Sequence, residues 1–291
     1  MFDRGNANRW ISKDRDPPFT RRSRADQTRS VSTLTLGLLH LAPRCGDLPA
    51  NRRLIEQATR VAAAAGCDWV VSGELVSTGY DFTSALGTAW IEPQPDHWLV
   101  GYAELVATLG VAAFVNVPDR DAATGTLHST LFAIDRSGRM VGGHRKIAVI
   151  PGAESWATPG TTADPVDVDG RRVGLLVCAD AHPPGIADRH AEQGVDLFVS
   201  TAAWTPGYHG PDGEWESISA RTGRPVVVVN RGGVDGHRDF ADAVSVVVIG
   251  GERAVEVASP GSTVLVVDLD WADDGSVSAT LRGKADFDDG E

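Results

Sequence analysis

The feature that most restricts the fold of this chain is a short apolar run that ends in a cysteine. Residues 173–177 read Val-Gly-Leu-Leu-Val, and Cys178 is followed by a polar, proline-rich turn that extends to Gly185. A continuous apolar run between turn residues is typical of a strand buried on both faces, as in parallel sheets covered by helices. The run therefore predicts an α/β fold with Cys178 at the carboxyl end of a buried strand.

Strand and helix patterns alternate on both sides of this run. A first strand is predicted near 33–39, a helix over about 48–65, and a buried strand over 67–74 that ends in Glu74. The other predicted helices are 96–109, 185–193 and 212–222, and the other strands are 111–117, 129–135, 139–144, 196–201, 225–230, 243–249, 254–258 and 263–270. Two similar halves of this kind predict two sheets packed face to face, each with helices on its outer side.

The two ends of the chain differ in composition from its middle. Residues 1–32 are rich in arginine and lack periodicity, which predicts a flexible extension, and residues 271–291 are predicted to form an acidic C-terminal tail. Residues 33–270 contain no low-complexity linker and are expected to form one domain.

Charge and cysteine content exclude several classes of function. The net charge of −12 argues against a nucleic-acid partner or an anionic membrane surface, and no apolar run approaches the roughly 20 residues that span a bilayer. The N-terminal segment also lacks the hydrophobic core of a secretory signal. Three cysteines without a CxxC pair predict neither a disulfide framework nor a zinc site, so we expect a protein of the reducing cytoplasm.

Three polar residues stand at or just after predicted strand ends: Glu74, Lys146 and Cys178. Each has an ordinary interpretation, a solvated acid or amine and a buried structural thiol. Burying all three is costly unless they meet, and together they supply a base, a cation and a nucleophile. Such a set can attack a carbonyl or nitrile carbon and hydrolyse the resulting thioester.

The segments around these residues, 73–80, 143–146 and 174–180, resemble the three signature blocks of the nitrilase superfamily of carbon–nitrogen hydrolases, in the same order. The resemblance implies a four-layer αββα sandwich over residues 33–270 and a Glu–Lys–Cys triad. Glu74 would then be the general base, Lys146 would stabilise the tetrahedral intermediate, and Cys178 would be the nucleophile. The resemblance implies no metal or organic cofactor, and it implies a homodimer or a higher homo-oligomer.

The resemblance also suggests residues that assist the triad. The backbone N–H of Ala179 would complete the oxyanion hole. Glu154 fits a further family glutamate that positions the substrate and supports proton transfer, unless it is a solvated loop acid. Trp204 follows a strand end and is either a pocket wall or a core or dimer-contact tryptophan, and His182 could touch the substrate. The nearby acids and histidine are interpreted as the solvated start of a helix rather than as metal ligands: His209, Asp212, Glu214 and Glu216.

The residues after the cysteine favour the amide-hydrolysing branches of this family. True nitrilases follow the cysteine with Trp-Glu, whereas this chain has Ala179-Asp180. It also lacks the aromatic residue and the Pro-Glu pair common in amidases, and the arginine that carbamoylases use to hold a carboxylate. Because Asp180 at the second position after the cysteine resembles the amide-hydrolysing branches, we predict hydrolysis of a small linear amide or N-carbamoyl compound. Nitrilase activity, acyl transfer and a catalytically silent binding or assembly protein are the alternatives.

Overall fold

The computed structural model describes residues 32–206 and 212–286 of the chain, and its regular elements follow the predicted alternation of strands and helices. The strands are β1 (Ser32–His40), β2 (Trp69–Ser72), β3 (Ala112–Arg120), β4 (Leu127–Ile134), β5 (Met140–Arg145), β6 (Val166–Val168), β7 (Arg171–Val177), β8 (Leu197–Thr201), β9 (Val226–Val229), β10 (Val234–Asp235), β11 (Arg238–Asp239), β12 (Val244–Ile249), β13 (Glu252–Ala258), β14 (Thr263–Trp271) and β15 (Val277–Asp286). The helices are α1 (Leu48–Ala64), α2 (Phe82–Leu86), α3 (His97–Leu109), α4 (Pro184–Glu192) and α5 (Glu214–Thr222).

The strands form two main sheets. The first has the order β15-β14-β1-β2-β3-β4-β5, and the second has the order β13-β12-β9-β8-β7-β6. Strands β1, β2 and β3 run parallel in the middle of the first sheet, and β7, β8 and β9 run parallel in the second. Parallel strands end at the same edge, so the residues that follow β2 and β7 lie at the carboxyl edges of the two sheets.

Alternate side chains of β1 show how the layers pack. Leu36 and Leu38 belong to the core between the two sheets, whereas Leu39 packs in the separate core beneath α1 and α3. Gly37 faces α1, where a Cβ atom would come within 2.7 Å of the Ala62 Cβ, so glycine allows the helix to pack closely on the strand. With α4 and α5 on the second sheet, the order of layers is helix, sheet, sheet, helix, which confirms the predicted αββα sandwich.

Several elements differ from the prediction. Strand β7 ends at Val177, and Cys178 is the first residue of a single 3₁₀ turn. Helix α2, strand β6 and the hairpin of β10 and β11 were not predicted, because each is too short to produce a hydrophobic period.

The segment from residue 271 was predicted to be an acidic tail, and this prediction is wrong for the residues up to Asp286, which lie in strands of the first sheet or in the turn between them. Strand β14 continues to Trp271, and β15 pairs with it in antiparallel register, with Val277 opposite Trp271. Strand β15 is an edge strand with many exposed side chains, so its sequence lacks the apolar signal of a buried strand. Residues 1–31, and with them most of the predicted N-terminal extension (1–32), lie outside the described residues. Residues 287–291 also lie outside them. In the described part of the chain, no helix is both long and apolar enough to cross a membrane.

Candidate active site

The structure brings the three predicted catalytic side chains together. Glu74 lies in the turn after β2, Lys146 directly follows β5, and Cys178 directly follows β7. Lys146 Nζ donates to Glu74 Oε1 at 2.8 Å, and the Cys178 thiol lies beside the Glu74 carboxylate. None of the three is more than 3% exposed. Glu74 Oε2 has no nitrogen or oxygen donor among the described residues, which leaves it able to accept the thiol proton.

Glu154 joins the same cluster and is not a solvated loop acid. Lys146 Nζ donates to Glu154 Oε1 at 2.5 Å, and the Tyr80 hydroxyl donates to the same oxygen at 2.8 Å. The backbone N–H of Ile150 donates to Glu154 Oε2 at 2.8 Å. Lys146 is therefore held between two buried carboxylates. Tyr80 closes the segment that begins at Gly73, but nothing in the sequence singles it out as a member of the site.

The charges of the cluster determine where its protons rest. Burial raises the pKa of Glu74 to about 7, although the Lys146 ammonium partly offsets this effect. Burial, and then the neighbouring Glu74 carboxylate, raise the pKa of the Cys178 thiol well above its ordinary value. Burial disfavours the Lys146 ammonium, but the adjacent acidic groups outweigh it and raise its pKa. The resting site thus holds a thiol, an ammonium and a carboxylate that can take up a proton near neutral pH.

Two residues of the site have backbone conformations that are uncommon for side chains with a Cβ atom. Leu75, directly after Glu74, has a φ of 51°, and Cys178 has a φ of 49°. The Asn116 side chain accepts from the Leu75 N–H at 3.0 Å and donates to Ser129 Oγ at 3.1 Å, which supports the turn at Glu74. Strained residues of this kind often occur where a fold fixes a reactive group.

A cavity of about 680 Å³ opens at Cys178 and Ala179. Its apolar wall consists of Ile150, Pro151, Ala153, Ala203, Trp204 and Pro206. Trp204 is 4% exposed and its ring packs edge-on against Trp215 at 5.4 Å, so it is both a core residue and a pocket wall. His182 lies at the mouth of the cavity, where its Nδ1 atom is 3.0 Å from Glu214 Oε1.

The hairpin of β10 and β11 also borders this cavity, through His237, Arg238 and Asp239. Arg238 donates from Nε to Asp81 Oδ1 at 3.3 Å, and its guanidinium lies 5.0 Å from the centre of the Tyr80 ring. Sequence reasoning missed this hairpin because two strands of two residues around a glycine carry no apolar alternation.

The acidic residues near the cavity lie at the start of helix α5. Glu214 and Glu216 lie in the first turn of α5, where carboxylates are favoured, and Glu216 pairs with Arg253. Asp212 precedes the helix, and His209 lies outside the described residues. Over residues 32–206 and 212–286, no group of three histidine, cysteine or acidic side chains is arranged to hold a metal ion.

The buried ion pair of Arg231 and Asp235 supports the turn that carries Tyr80. Arg231 Nη1 lies 2.5 Å from Asp235 Oδ2, and the same oxygen accepts from the Tyr80 N–H at 2.6 Å. Arg231→Ala would leave the Asp235 charge buried without its cation, so we expect a loss of about 3–5 kcal/mol in the free energy of unfolding. Urea titration would measure this loss.

The pair of Arg221 with Asp188 supplies a matched control, because it has a similar separation of 2.7 Å but lies on the surface. Arg221→Ala is expected to cost less than about 1 kcal/mol. Equal losses for the two variants would contradict the importance of the buried pair.

A family model for carbon–nitrogen hydrolases matches residues 35–278, from within β1 to the start of β15. Among curated proteins, a hydrolase encoded in the 5′ region of pqqF in Pseudomonas protegens is 27% identical over 179 residues, which cover 60% of this chain and 62% of that protein. The chain thus matches less than two thirds of the length of that relative. A probable nitrilase of Schizosaccharomyces pombe is 21% identical over 250 residues, covering 81% of this chain and 89% of that protein.

Solved structures share the fold. An amidase from Nesterenkonia sp. AN1 superposes with a TM-score of 0.71 and 23% identity, covering 81% of this chain and 90% of that one. That structure is a glutamate-to-glutamine mutant with the acetamide moiety of fluoroacetamide added covalently at its active-site cysteine. Nit3 of Saccharomyces cerevisiae, a member of branch 10 of the nitrilase superfamily, superposes with a TM-score of 0.73 and 18% identity, covering 84% and 91% of the two chains.

Proposed function

The chain belongs to the carbon–nitrogen hydrolase family, and on that premise we propose that it hydrolyses a small linear amide or N-carbamoyl compound through a thioester on Cys178. The observation that carries this proposal is the buried cluster in which Lys146 Nζ contacts Glu74 and Glu154, with the Cys178 thiol beside Glu74. The cluster combines a nucleophile, a proton acceptor and a fixed cation next to a cavity of about 680 Å³.

The first half of the reaction acylates the enzyme. The substrate carbonyl lies against Cys178, whose proton passes to Glu74 as the sulfur–carbon bond forms. The Lys146 ammonium and the Ala179 N–H stabilise the resulting oxyanion. When the intermediate collapses, the carbon–nitrogen bond breaks and Glu74 gives its proton to the departing ammonia or amine. A thioester and a free amine remain.

The second half returns the enzyme to its starting state. Glu74, again a carboxylate, takes a proton from a water molecule, and the hydroxide adds to the thioester carbon. The sulfur–carbon bond breaks, the acid product leaves, and the proton returns from Glu74 to the Cys178 sulfur. Glu154 holds Lys146 in place throughout, because the ammonium hydrogen-bonds to both carboxylates.

The cavity at Cys178 is compatible with a small amide. Its apolar wall suits a short aliphatic group, and the similarity to amidases supports an amide as substrate. Nitrile hydrolysis would use the same three residues, and acyl transfer would use the same thioester with an amine in place of water. A catalytically silent family member would keep the cavity and show no turnover.

Intact-mass spectrometry combined with ammonia detection tests this proposal. The wild-type protein would be incubated with primary amides, N-carbamoyl amines and nitriles. We expect an acyl adduct on Cys178 and release of ammonia with at least one amide or N-carbamoyl compound. If only nitriles are turned over, the protein is a nitrilase and the proposal of amide hydrolysis is wrong. If no compound gives an adduct or ammonia, the catalytically silent binding protein is favoured.

The pH dependence of the reaction should report Glu74. Because the pKa of Glu74 is raised to about 7 and its carboxylate form is the base, kcat/KM should fall about tenfold per pH unit below that value. Because the pKa of Glu74 is raised, stability should change with pH in the direction opposite to kcat/KM. The contribution of Glu74 to folding is complete below its unfolded pKa and is lost as the pH rises through about 7. Profiles of kcat/KM and of stability from pH 5 to 9 would separate the two effects, and an acid limb near pH 4.5 would contradict the assignment.

We also propose that the protein is a homo-oligomer of a reducing cytoplasm. Cys45, Cys67 and Cys178 are all free thiols, which is compatible with that compartment. Burial raises the pKa of Cys67 to about 12 and, together with Asp235, raises that of Cys45 to about 11, so both thiols resist oxidation. Light scattering after size exclusion would test the assembly, and a mass of 30.8 kDa would contradict it.

A further inference from the structure

Asp180 is completely buried two residues after Cys178, yet the proposed reaction gives it no chemical step. Its two oxygens accept four hydrogen bonds, which is a large number for one side chain. Oδ1 accepts from the backbone N–H of Ile147 at 3.0 Å and of Ala148 at 2.7 Å, and Oδ2 accepts from the backbone N–H of Val177 at 3.0 Å and from His144 Nε2 at 2.8 Å.

The backbone donors to the two oxygens of Asp180 belong to two different segments of the site. The donors to Oδ1 directly follow Lys146, and Val177, a donor to Oδ2, directly precedes Cys178. Lys146 follows β5 of the first sheet, whereas Cys178 follows β7 of the second, and these two strands are not paired in a common sheet. Asp180 therefore links the ammonium segment to the thiol segment across the interface between the sheets.

The same carboxylate also holds the strained turn of the nucleophile. Its bond to the Val177 N–H closes the turn in which Cys178 has a φ of 49°. Although burial disfavours its charge, the hydrogen bonds from His144 and the Ala148 N–H hold the pKa of Asp180 below its usual range. The carboxylate is thus charged and fully bonded, as expected of a fixed structural anchor.

We propose that Asp180 is a positioning residue that sets the distance between the Cys178 thiol and the Lys146 ammonium across the two sheets. The proposal rests on the proposed function for its kinetic consequences. Its geometric part, the placement of Cys178 beside Glu74 and Lys146, can be measured without any turnover.

The test is Asp180→Asn, which keeps the shape of the side chain but puts an N–H₂ group where one oxygen accepted hydrogen bonds. At least one of the two backbone segments then loses its acceptor. We expect kcat to fall about 100-fold, since small displacements of reacting groups have effects of this size. KM should change less than about threefold, because Asp180 does not border the cavity.

A second measurement does not depend on turnover. The rate at which iodoacetamide alkylates Cys178, followed by intact mass, should fall at least about tenfold in Asp180→Asn if the thiol is displaced from Glu74. Circular dichroism and thermal unfolding establish that the compared samples are folded. A role in stability alone would lower the unfolding temperature and leave kcat and the alkylation rate of the folded protein unchanged.

His144→Gln is the matched control, because a glutamine amide can still donate to Asp180 and the three backbone hydrogen bonds remain. We expect its kcat and alkylation rate to stay within about threefold of wild type. If Asp180→Asn does not fold, His144→Phe is used in its place. It removes one of the four donors and should lower kcat and the alkylation rate in the same direction, by a smaller factor.

The outcomes separate this inference from the proposed function. Wild-type kcat and alkylation rate in the folded variant would overturn the role of Asp180 and leave amide hydrolysis intact. If the wild-type protein turns over no amide but Asp180→Asn is alkylated more slowly than wild type, the positioning role is retained and the proposed function is rejected. No amide turnover together with unchanged alkylation would reject both.

Discussion

Replacing Cys178 with alanine is expected to lower amide turnover by at least about 10⁴-fold while the protein remains folded. The proposed reaction has no other nucleophile next to Glu74 and Lys146 in the described structure, and a water molecule in place of the sulfur would be a far weaker one. The substitution removes one small buried atom, so it should disturb the sandwich little. Ammonia release and circular dichroism would measure the two effects.

Cys67→Ala is the matched control for this prediction. Cys67 is also a buried free thiol, but its sulfur faces α1 and β1 in the core of the first sheet. We expect this variant to keep its activity. Substantial turnover by Cys178→Ala would remove the thioester from the mechanism and leave direct attack by water as the remaining route.

Glu74→Gln should lower kcat about 10³-fold, which lies within the range of general acid–base catalysis. Glutamine preserves the shape of the side chain and can still accept from Lys146 Nζ, but it cannot take the proton of the thiol or of water. Its rate should also lose the acid limb near pH 7, because the Glu74 carboxyl group assigned to that limb is absent. Single-turnover kinetics over pH 5 to 9 would measure both changes.

Glu154→Gln provides the comparison, because Glu154 contacts the same Lys146 Nζ and is equally buried. Glu154 holds Lys146 and has no proton to transfer in the proposed steps, so the variant should lose only about tenfold in kcat and keep the acid limb. Loss of the acid limb in Glu154→Gln alone would exchange the roles proposed for the two glutamates. Equal losses of kcat would contradict the division of roles between them.

The sequence predicted the structure where burial restricts which residue types can occupy a position. The apolar run of β7 and the polar residues Glu74 and Lys146 at strand ends predicted the layers and the convergence of the site, because side chains of these types are rarely buried without one another. The three family-like segments added the order of the site residues along the chain. Glu154 was expected from the same resemblance, which implies a further glutamate in the loop after the lysine.

The parts that sequence reasoning missed depend on contacts between distant segments. Tyr80 meets Glu154 only because the loop after β5 folds back over the turn after β2. The hairpin with Arg238 is too short to show a period, and β15 is an exposed edge strand whose mixed polarity resembles that of a tail. None of these contacts leaves a local signal in the chain, so only the assembled fold reveals them.

The division of the site between the two sheets has a consequence for how this protein could change over time. Glu74 and Lys146 extend from one sheet and Cys178 from the other, so neither sheet alone contains a complete set of reactive groups. Substitutions in the apolar layer between the sheets, far from any substrate, can shift one set of groups against the other. Repacking the leucines and valines of that layer would therefore change the alignment of these groups as well as stability, and it offers a route to altered activity that leaves every reactive residue in place.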